Sequence, residues 1–408
     1  MRQDRAVNRA ACLAFLLSVF LASTCYSADF FVGCVSASDA GACTSAGAPC
    51  ATLQAAINKS TATNRRIFLA GSCPAYRTTT ATITNAAGTL AQPNIITWNG
   101  VGTPPMLTQS VIWSGAANRW TACATAGVCS GITDARVYKA TPGDWTIEWG
   151  MLLDGLREDI VNGQWDRQSF DNSVAANCPS LTVLAFDKAW CQTGTGASST
   201  LFLRSDAGAA GSAARDPDTR YTNPGVEIAL QTGESNNQVL RGSHQFWQVL
   251  GSPTNNHVAN ADGIDVYLGK AILIDVRAPN VILSGMEIHH GVRGNGRNVR
   301  WFNDMGQPTM QGLELRDFRV HHCGRDCFEP GGGVDFDGPT LGSSLWIHHG
   351  VISEAFDHGH INVSFQTGGT ASTNLGTRRQ LLLEFIEEHE SCEALGGGST
   401  ELPDTGTR

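Results

Sequence analysis

Histidines are concentrated in the last third of this chain, and one short segment places two of them beside a carboxylate. Nine of the eleven histidines in the 408 residues occur at or after position 289. Asp357, His358 and His360 lie within four residues, and Gly359 lets the backbone approach a ligand closely. A carboxylate beside imidazoles suits acid–base catalysis, because imidazole titrates near neutral pH. We therefore predict that Asp357, His358 and His360 are catalytic.

A second group of candidate residues is acidic. Asp326, Glu329, Asp335 and Asp337 fall within twelve residues, and the last two would point the same way on a strand. Oxygen ligands of this kind suit Ca²⁺, so we predict that these four residues bind it. Two alternatives stay open: paired carboxylates acting in glycoside hydrolysis, or a solvated loop. Zinc is disfavoured because the sequence has no Cys-x-x-Cys pair.

Arginines cluster in the same region, although the whole chain is acidic, with a net charge of −9. An acidic chain disfavours nucleic acid and anionic membranes as partners, whereas local guanidiniums would bind an anionic glycan. We predict that Arg293, Arg297 and Arg300 bind substrate and that Arg325 is catalytic. Of the four lysines, only Lys270 lies near these segments, and it is an alternative base. The clustered arginines are Arg293, Arg297, Arg300, Arg316, Arg319 and Arg325.

Strands must position these residues, because one apolar pattern recurs across residues 278–361 with an offset of 32. Spacings of two, three and two predict a short strand, a bend and a second strand. Such units bury their apolar faces only by stacking, which predicts an all-β parallel β-helix; a β-sandwich with accidental periodicity is the alternative. His289–His290 and His321–His322 keep the offset, so we interpret them as a structural ladder. The three sets are Val281, Leu283, Met286, Ile288; Leu313, Leu315, Phe318, Val320; and Leu345, Ile347, Gly350, Ile352.

The repeated strands are predicted to extend over residues 231–396. Earlier strands are expected around 239–240, 247–250, 264–267 and 272–274. A fourth repeat starts at Leu381, Leu383 and Ile386, with an offset of 36. Residues 397–408 form a polar tail without a cap, which predicts a chain truncated relative to a longer protein.

The amino-terminal 27 residues are predicted to be a secretory signal peptide, because basic residues precede an apolar run too short to span a membrane. We therefore expect a secreted, periplasmic or cell-surface protein in which cysteines form disulfides. Close spacing predicts Cys123–Cys129, Cys178–Cys191 and Cys323–Cys327. Two more disulfides are expected among the first four cysteines of the mature chain, with Cys392 left over; those four are Cys34, Cys43, Cys50 and Cys73.

Residues 28–112 carry motifs that resemble a known superfamily. A strand is followed by a Gly/Ser/Asp-rich loop, an amphipathic helix over 50–59 and a strand ending near Gly71. Together with Ala51–Ile57 and Gly88–Ile96, this order resembles the amino-terminal part of secreted right-handed β-helix proteins of the pectate-lyase-like superfamily, particularly polysaccharide lyases. The resemblance implies a right-handed coil capped by the helix. It does not select a reaction, because lyases, hydrolases and epimerases share it.

Residues 113–230 lack the repeat and are predicted to form an inserted antiparallel β-domain, with turns at Pro142–Gly143 and Asp154–Gly155. We interpret the tryptophans of this segment as core residues, with stacking on sugar rings as the alternative. They are Trp113, Trp120, Trp145, Trp149, Trp165 and Trp190.

Taken together, these features predict a monomeric lyase that cleaves an acidic glycan by β-elimination. Elimination needs Ca²⁺ or an arginine to neutralise the uronate carboxylate, and a base to remove the C5 proton. His358, His360, an arginine or Lys270 would supply the base. A glycoside hydrolase, a uronate epimerase and a non-catalytic glycan-binding or adhesion protein stay open as alternatives.

Overall fold

The computed structural model describes residues 28–77, 81–84, 88–114, 119–129, 131–143, 151–154, 187–188, 190–193, 199–206, 213–222, 225–229, 238–242, 244–251, 263–269, 272–291, 297–302, 312–323, 326–331, 345–355, 359–361 and 381–391. The predicted signal peptide and polar tail lie outside these residues. In this part of the chain, no helix is long and apolar enough to cross a lipid bilayer.

The described residues form mostly strands, with two short helices. The helices are α1 (Leu53–Lys59) and α2 (Pro217–Arg220). The strands are β1 Ala28–Val32, β2 Arg65–Leu69, β3 Tyr76–Arg77, β4 Ala81–Ile83, β5 Asn94–Trp98, β6 Met106–Thr108, β7 Ser110–Ile112, β8 Thr121–Ala122, β9 Val137–Gly143, β10 Met151–Leu153, β11 Trp190–Thr193, β12 Ser199–Arg204, β13 Val226–Ala229, β14 Gln238–Gly242, β15 Trp247–Leu250, β16 Ile264–Gly269, β17 Ile272–Val276, β18 Val281–Gly291, β19 Arg297–Phe302, β20 Leu313–Cys323, β21 Asp326–Gly331, β22 Leu345–Ala355, β23 Gly359–Ile361 and β24 Leu381–Ser391.

Helix α1 confirms the helix predicted near the amino terminus. The Thr52 side chain caps it by accepting a 3.2 Å hydrogen bond from the backbone N–H of Ala55. Leu53, Ala56 and Ile57 are buried in the main hydrophobic core, as their helical spacing predicted.

Two sheets consist of parallel strands. The larger has eleven strands, ordered β1-β2-β5-β15-β18-β16-β6-β3, with β20, β22 and β24 added in turn beyond β18. The smaller has six, ordered β23-β21-β19-β17-β14-β4. One hydrophobic cluster packs the inward side chains of both sheets. The strands predicted around 239–240, 247–250, 264–267 and 272–274 are confirmed as β14 to β17.

The predicted 32-residue offset is the register of strand pairing. Strand β18 pairs with β20 through Val281↔Leu313 and Met286↔Phe318, and β20 pairs with β22 through Leu313↔Leu345. Strand β24 continues the stack with Leu345↔Leu381, the predicted offset of 36. The two short strands of each repeat are one eleven-residue strand with a bend, at which Gly285, Asp317 and His349 have positive φ angles of 64°, 51° and 52°.

The described strands between residues 110 and 229 form two antiparallel sheets. One sheet has the order β10-β13-β7 and the other β11-β12-β9-β8. Trp120 and Trp190 are buried in a separate hydrophobic cluster, against which Trp113 packs, in agreement with the core interpretation. Trp145, Trp149 and Trp165 lie outside the described residues.

Four disulfides connect described cysteines. Cys123–Cys129 and Cys323–Cys327 confirm two predicted pairs. Cys34–Cys73 and Cys43–Cys50 are the two disulfides expected among the first four cysteines. The predicted Cys178–Cys191 pair and Cys392 involve residues outside the described segments.

Candidate functional site

Three carboxylate–histidine–histidine groups lie on the outward face of the larger sheet, and we refer to them as triads. In the first triad, Asp265 Oδ1 lies 2.8 Å from His289 Nε2, and the Nδ1 atoms of His289 and His290 are in contact. The other two triads repeat these contacts. They are Glu287–His321–His322, with distances of 3.0 and 2.6 Å, and Glu314–His348–His349, with distances of 3.2 and 2.7 Å.

Strand alternation and a backbone turn build each triad. The carboxylate belongs to one strand, and the first histidine lies on the next strand of the stack, two positions further along. The second histidine turns back toward the first because its backbone is left-handed: His290, His322 and His349 have φ angles of 59°, 47° and 52°. A non-glycine residue with positive φ is uncommon and often marks a functional or strained position.

The first two triads stack directly on each other. The rings of His289 and His321 are parallel with centroids 4.9 Å apart, and His290 stacks on His322 at 4.5 Å. The Tyr267 ring extends the stack, 5.5 Å from His289. The predicted ladder of His289–His290 and His321–His322 is therefore present, with a carboxylate added to each pair.

Hydrogen-bond chemistry fixes where the protons lie in each triad. A carboxylate beside Nε2 requires that the first imidazole donate from Nε2, so its Nδ1 accepts a hydrogen bond from Nδ1–H of the second imidazole. Burial lowers the pKa of His321 to about 4, and the hydrogen bond to Glu287 opposes that shift. Burial also lowers the pKa of His348. These two imidazoles are therefore neutral at pH 7, the form that this relay of hydrogen bonds needs.

A buried polar network adjoins the first triad. Glu227, whose side chain is fully buried, accepts a 2.8 Å hydrogen bond from the Tyr267 hydroxyl and forms a 2.7 Å ion pair with Arg77. Ser110 donates to the same carboxylate oxygen at 3.0 Å. Burial, followed by the negative charge of Glu227, raises the pKa of Tyr267, so this hydroxyl remains a proton donor.

The predicted substrate-binding arginines that the structure describes are paired with carboxylates. Arg297 contacts Glu329 at 3.0 Å and lies 3.6 Å from Asp326. Arg300 lies 3.1 Å from Asp275, which also contacts Arg277 at 2.5 Å. Two of the four predicted Ca²⁺ ligands thus face a guanidinium. Among the residues described here, no group of three or more His, Cys, Asp or Glu side chains is arranged to hold a metal ion.

The remaining predicted site residues are outside this description. His360 falls in β23, but its side chain is not described. The others are Lys270, Arg293, Arg325, Asp335, Asp337, Asp357 and His358.

The sequence reasoning did not identify the carboxylates of the triads or the Tyr267–Glu227 pair. A signal was present: Glu287 precedes His321 by 34 residues, and Glu314 precedes His348 by the same interval. That interval is one 32-residue repeat plus the two positions that return a strand to the same face. Glu227 carried no such signal, because it lies outside the repeats.

No family model and no curated protein matches this chain. Among solved structures, it is similar to the selenomethionine derivative of the GH136 lacto-N-biosidase from Eubacterium ramulus, with a TM-score of 0.40 and 11% identity over 82% of this chain and 43% of that one. The native form of that protein gives a TM-score of 0.33 and 10% identity over 88% of this chain and 50% of that one. A structure described as a glycoside hydrolase gives a TM-score of 0.35 and 9% identity over 83% of this chain and 85% of that one.

The chain therefore spans about half or less of the lacto-N-biosidase structures that it matches. These scores are too low to transfer a function.

Proposed function

We propose that this protein is an exported, glycan-active enzyme built on a right-handed parallel β-helix, and that it hydrolyses glycosidic bonds with Asp265 and Glu287. The two parallel sheets and the repeated register support the coil, and parallel crossovers are almost always right-handed. The predicted signal peptide and the four disulfides support export.

The observation that carries the proposal is the pairing of two carboxylates on neighbouring strands. Asp265 and Glu287 are register partners in the parallel pair of β16 and β18, whose backbones lie about 4.8 Å apart. Glycosidases use two carboxyl groups, separated by about 5–5.5 Å in retaining enzymes and about 6.5–9.5 Å in inverting ones. Neighbouring strand positions can provide either separation. One carboxyl group would protonate the leaving oxygen while the other acts as nucleophile or as base toward water.

The triads hold these two carboxylates in place. His289 contacts Asp265, and His321 contacts Glu287, through buried Nε2 atoms. The Arg319 guanidinium lies 4.0 Å from Glu287, and its side chain is half exposed, so the cluster reaches the surface there.

Hydrolysis is preferred to elimination because two of the predicted substrate-binding arginines, Arg297 and Arg300, are already paired with carboxylates. Elimination from a uronate requires a cation that neutralises the substrate carboxylate. Arg297 and Arg300 already meet Glu329 and Asp275, so binding a uronate there would require breaking these ion pairs.

β-Elimination is the second candidate, and the second triad favours it. The neutral imidazole of His321 links the Glu287 carboxylate to the partly exposed His322, which would make His322 an oriented base. Two earlier predictions belong to this reaction and stay predictions. One is Ca²⁺ binding by the acidic segment, and the other is catalysis by Asp357, His358, His360, Lys270 and Arg325.

One incubation tests both reactions. The protein is mixed with a panel of neutral and uronate-containing polysaccharides, and new reducing ends and the ultraviolet absorbance of unsaturated products are recorded together. We expect reducing ends without unsaturation. Asp265→Asn and Glu287→Gln should each lower the rate by about 100-fold or more, as expected for loss of an acid or base.

Asp134→Asn is the matched control, because Asp134 forms a 2.7 Å pair with Arg136 in the antiparallel region. Its rate should equal that of the wild type. Detection of unsaturated products would show that the reaction is elimination and not hydrolysis. Full activity in both carboxylate variants would refute the assigned site. If neither reducing ends nor unsaturated products form, both proposed reactions are refuted and glycan binding without catalysis remains.

A further inference from the structure

A cavity of about 230 Å³ lies on the outward face of the long strands, at the third triad. Register pairing places Gln248, Ile282, Glu314 and Trp346 at equivalent positions of four successive strands. Three strand spacings make this column about 14 Å long. The segment containing Leu90 also lines the cavity, and the Leu90 side chain is 85% exposed.

The lining of this cavity is amphipathic in the way that a sugar ring requires. Trp346 supplies an aromatic surface, and the buried ring of His348 stacks beside it at 3.9 Å, which fixes the orientation of the indole. Glu314 supplies a hydrogen-bonding group on the neighbouring strand, and Gln248 supplies another at the far end of the column. The volume is below the roughly 300 Å³ at which pockets for drug-sized ligands begin, so it suits a single monosaccharide unit.

The charges around Glu314 indicate which sugars can enter. Its carboxylate is partly exposed and contacts Arg316 at 2.9 Å and His348 at 3.2 Å. Burial lowers the pKa of His348, so this imidazole is neutral at pH 7 and Arg316 is the cation beside the carboxylate in these contacts. A uronate would bring a second anion to Glu314, whereas the hydroxyls of a neutral sugar can donate to it.

We propose that this cavity is a subsite for a neutral pyranose, in which Trp346 stacks on the sugar ring and Glu314 accepts hydrogen bonds from its hydroxyls. This inference rests on the proposed glycan-active function and specifies the substrate class as a neutral glycan. The column includes β18, which carries Glu287 beyond its bend and pairs there with β16, the strand of Asp265. A chain held at this subsite is bound by the same stack of strands that carries the catalytic carboxylates.

Binding is measured by isothermal titration with the Glu287→Gln protein, so that bound chains are not consumed. The probes are hexasaccharides of β-1,4-glucose, β-1,4-galactose, β-1,4-mannose and α-1,4-galacturonate. We expect at least one neutral probe to bind and the galacturonate not to bind. Trp346→Ala should lower the affinity for the neutral probe about tenfold. Trp346→Phe keeps an aromatic face, so its affinity should stay within about threefold of the starting protein.

Trp98→Ala is the matched control, because Trp98 is also partly buried on a strand of the larger sheet but does not line the cavity. It should leave affinity unchanged, and thermal unfolding of each variant checks that it is folded. Glu314→Gln should permit galacturonate binding, since it removes the repelling charge.

Unchanged affinity in Trp346→Ala, preference for galacturonate, or no binding by any neutral probe would each overturn the subsite. The proposed function fails separately. Neutral binding that depends on Trp346, in a wild-type protein that releases no reducing ends, would support the subsite while refuting the hydrolase.

Discussion

At the scale of single residues, the outward face of the long strands carries ionisable side chains that are shielded from water. Desolvation of a charged group is costly unless a partner is present, and here each partner is another ionisable group. The first histidine of every triad contacts a carboxylate, and Tyr267 donates to the fully buried Glu227. These hydrogen bonds therefore satisfy buried polar groups whose desolvation would otherwise destabilise the folded protein.

His321 should make the stability of the protein depend on pH. Its native pKa of about 4 lies below the usual value of 6.5, so the unfolded chain binds more protons between these values. The free energy of unfolding should therefore fall as the pH drops from 6.5 toward 4, by roughly 3 kcal/mol from this residue. Urea unfolding of the wild type at pH 7 and pH 5 measures the part of this loss that falls between pH 6.5 and pH 5, about 2 kcal/mol.

In His321→Gln, the free energy of unfolding should differ less between the two pH values, because the substituted side chain cannot take up a proton. His244→Gln, at a partly exposed bend, is the control and should keep the wild-type difference. Equal pH dependence in all three proteins would contradict the assignment.

At the scale of elements, the long strands stack because inward side chains of successive repeats complement each other in size. The apolar pattern lapses at Gly350, and the structure gives the reason: a Cβ atom at this position would overlap the ring of Phe318 in the preceding strand. A large side chain in one repeat is matched by the absence of one in the next.

Gly350→Ala should destabilise the protein by about 1–3 kcal/mol, because the added methyl group must displace the fully packed Phe318 ring. Chemical denaturation measures the change. Phe318→Leu in the same background should recover part of the loss, which would show that the two positions are coupled.

Gly242→Ala is the matched control within a parallel strand, since a Cβ atom there would have no neighbour within 4 Å. It should change stability by less than about 1 kcal/mol. A loss at Gly242 as large as that at Gly350 would show that the backbone, and not the Phe318 ring, requires glycine.

At the scale of the whole molecule, covalent links reinforce the amino-terminal end of the larger sheet. Cys34–Cys73 joins residues 39 positions apart, whereas Cys43–Cys50 joins residues seven apart. A longer closed loop restricts the unfolded chain more, so the first link should contribute more stability.

Replacing Cys34 and Cys73 together by alanine should cost about 4 kcal/mol, against about 2 kcal/mol for Cys43 and Cys50. Guanidinium unfolding under non-reducing conditions compares the two double variants with the wild type. Since Cys43 and Cys50 are both buried, a larger loss in their variant would show that packing of the sulfur atoms outweighs loop length.

Much of the fold could be predicted from the sequence. The spacing of Val281, Leu283, Met286 and Ile288, repeated after 32 residues, gave both the strands and their parallel register. The fourth repeat at Leu381 was found in the same way. The bend was predicted, but not that each repeat is one continuous strand with a left-handed residue at the bend, because that depends on backbone geometry.

The candidate site was predicted only in part. The histidine pairs were recognised through their repeat spacing and interpreted as structural. The catalytic and binding roles were predicted for other residues, chiefly Asp357, His358 and the arginines. Arg297 and Arg300 instead lie in β19 of the smaller sheet, beside acidic residues of neighbouring strands. Sequence alone does not show that pairing, because the partners are 25 to 32 residues apart.

The sequence by itself determined which residues face inward, because burial of apolar side chains leaves a periodic pattern along the chain. It also determined the register, since one slipped residue would turn every inward side chain outward. Only the tertiary structure decided which outward groups meet. Asp265, His289 and Tyr267 become neighbours because parallel strands stack about 4.8 Å apart and bend at the same level, and no local pattern encodes those contacts.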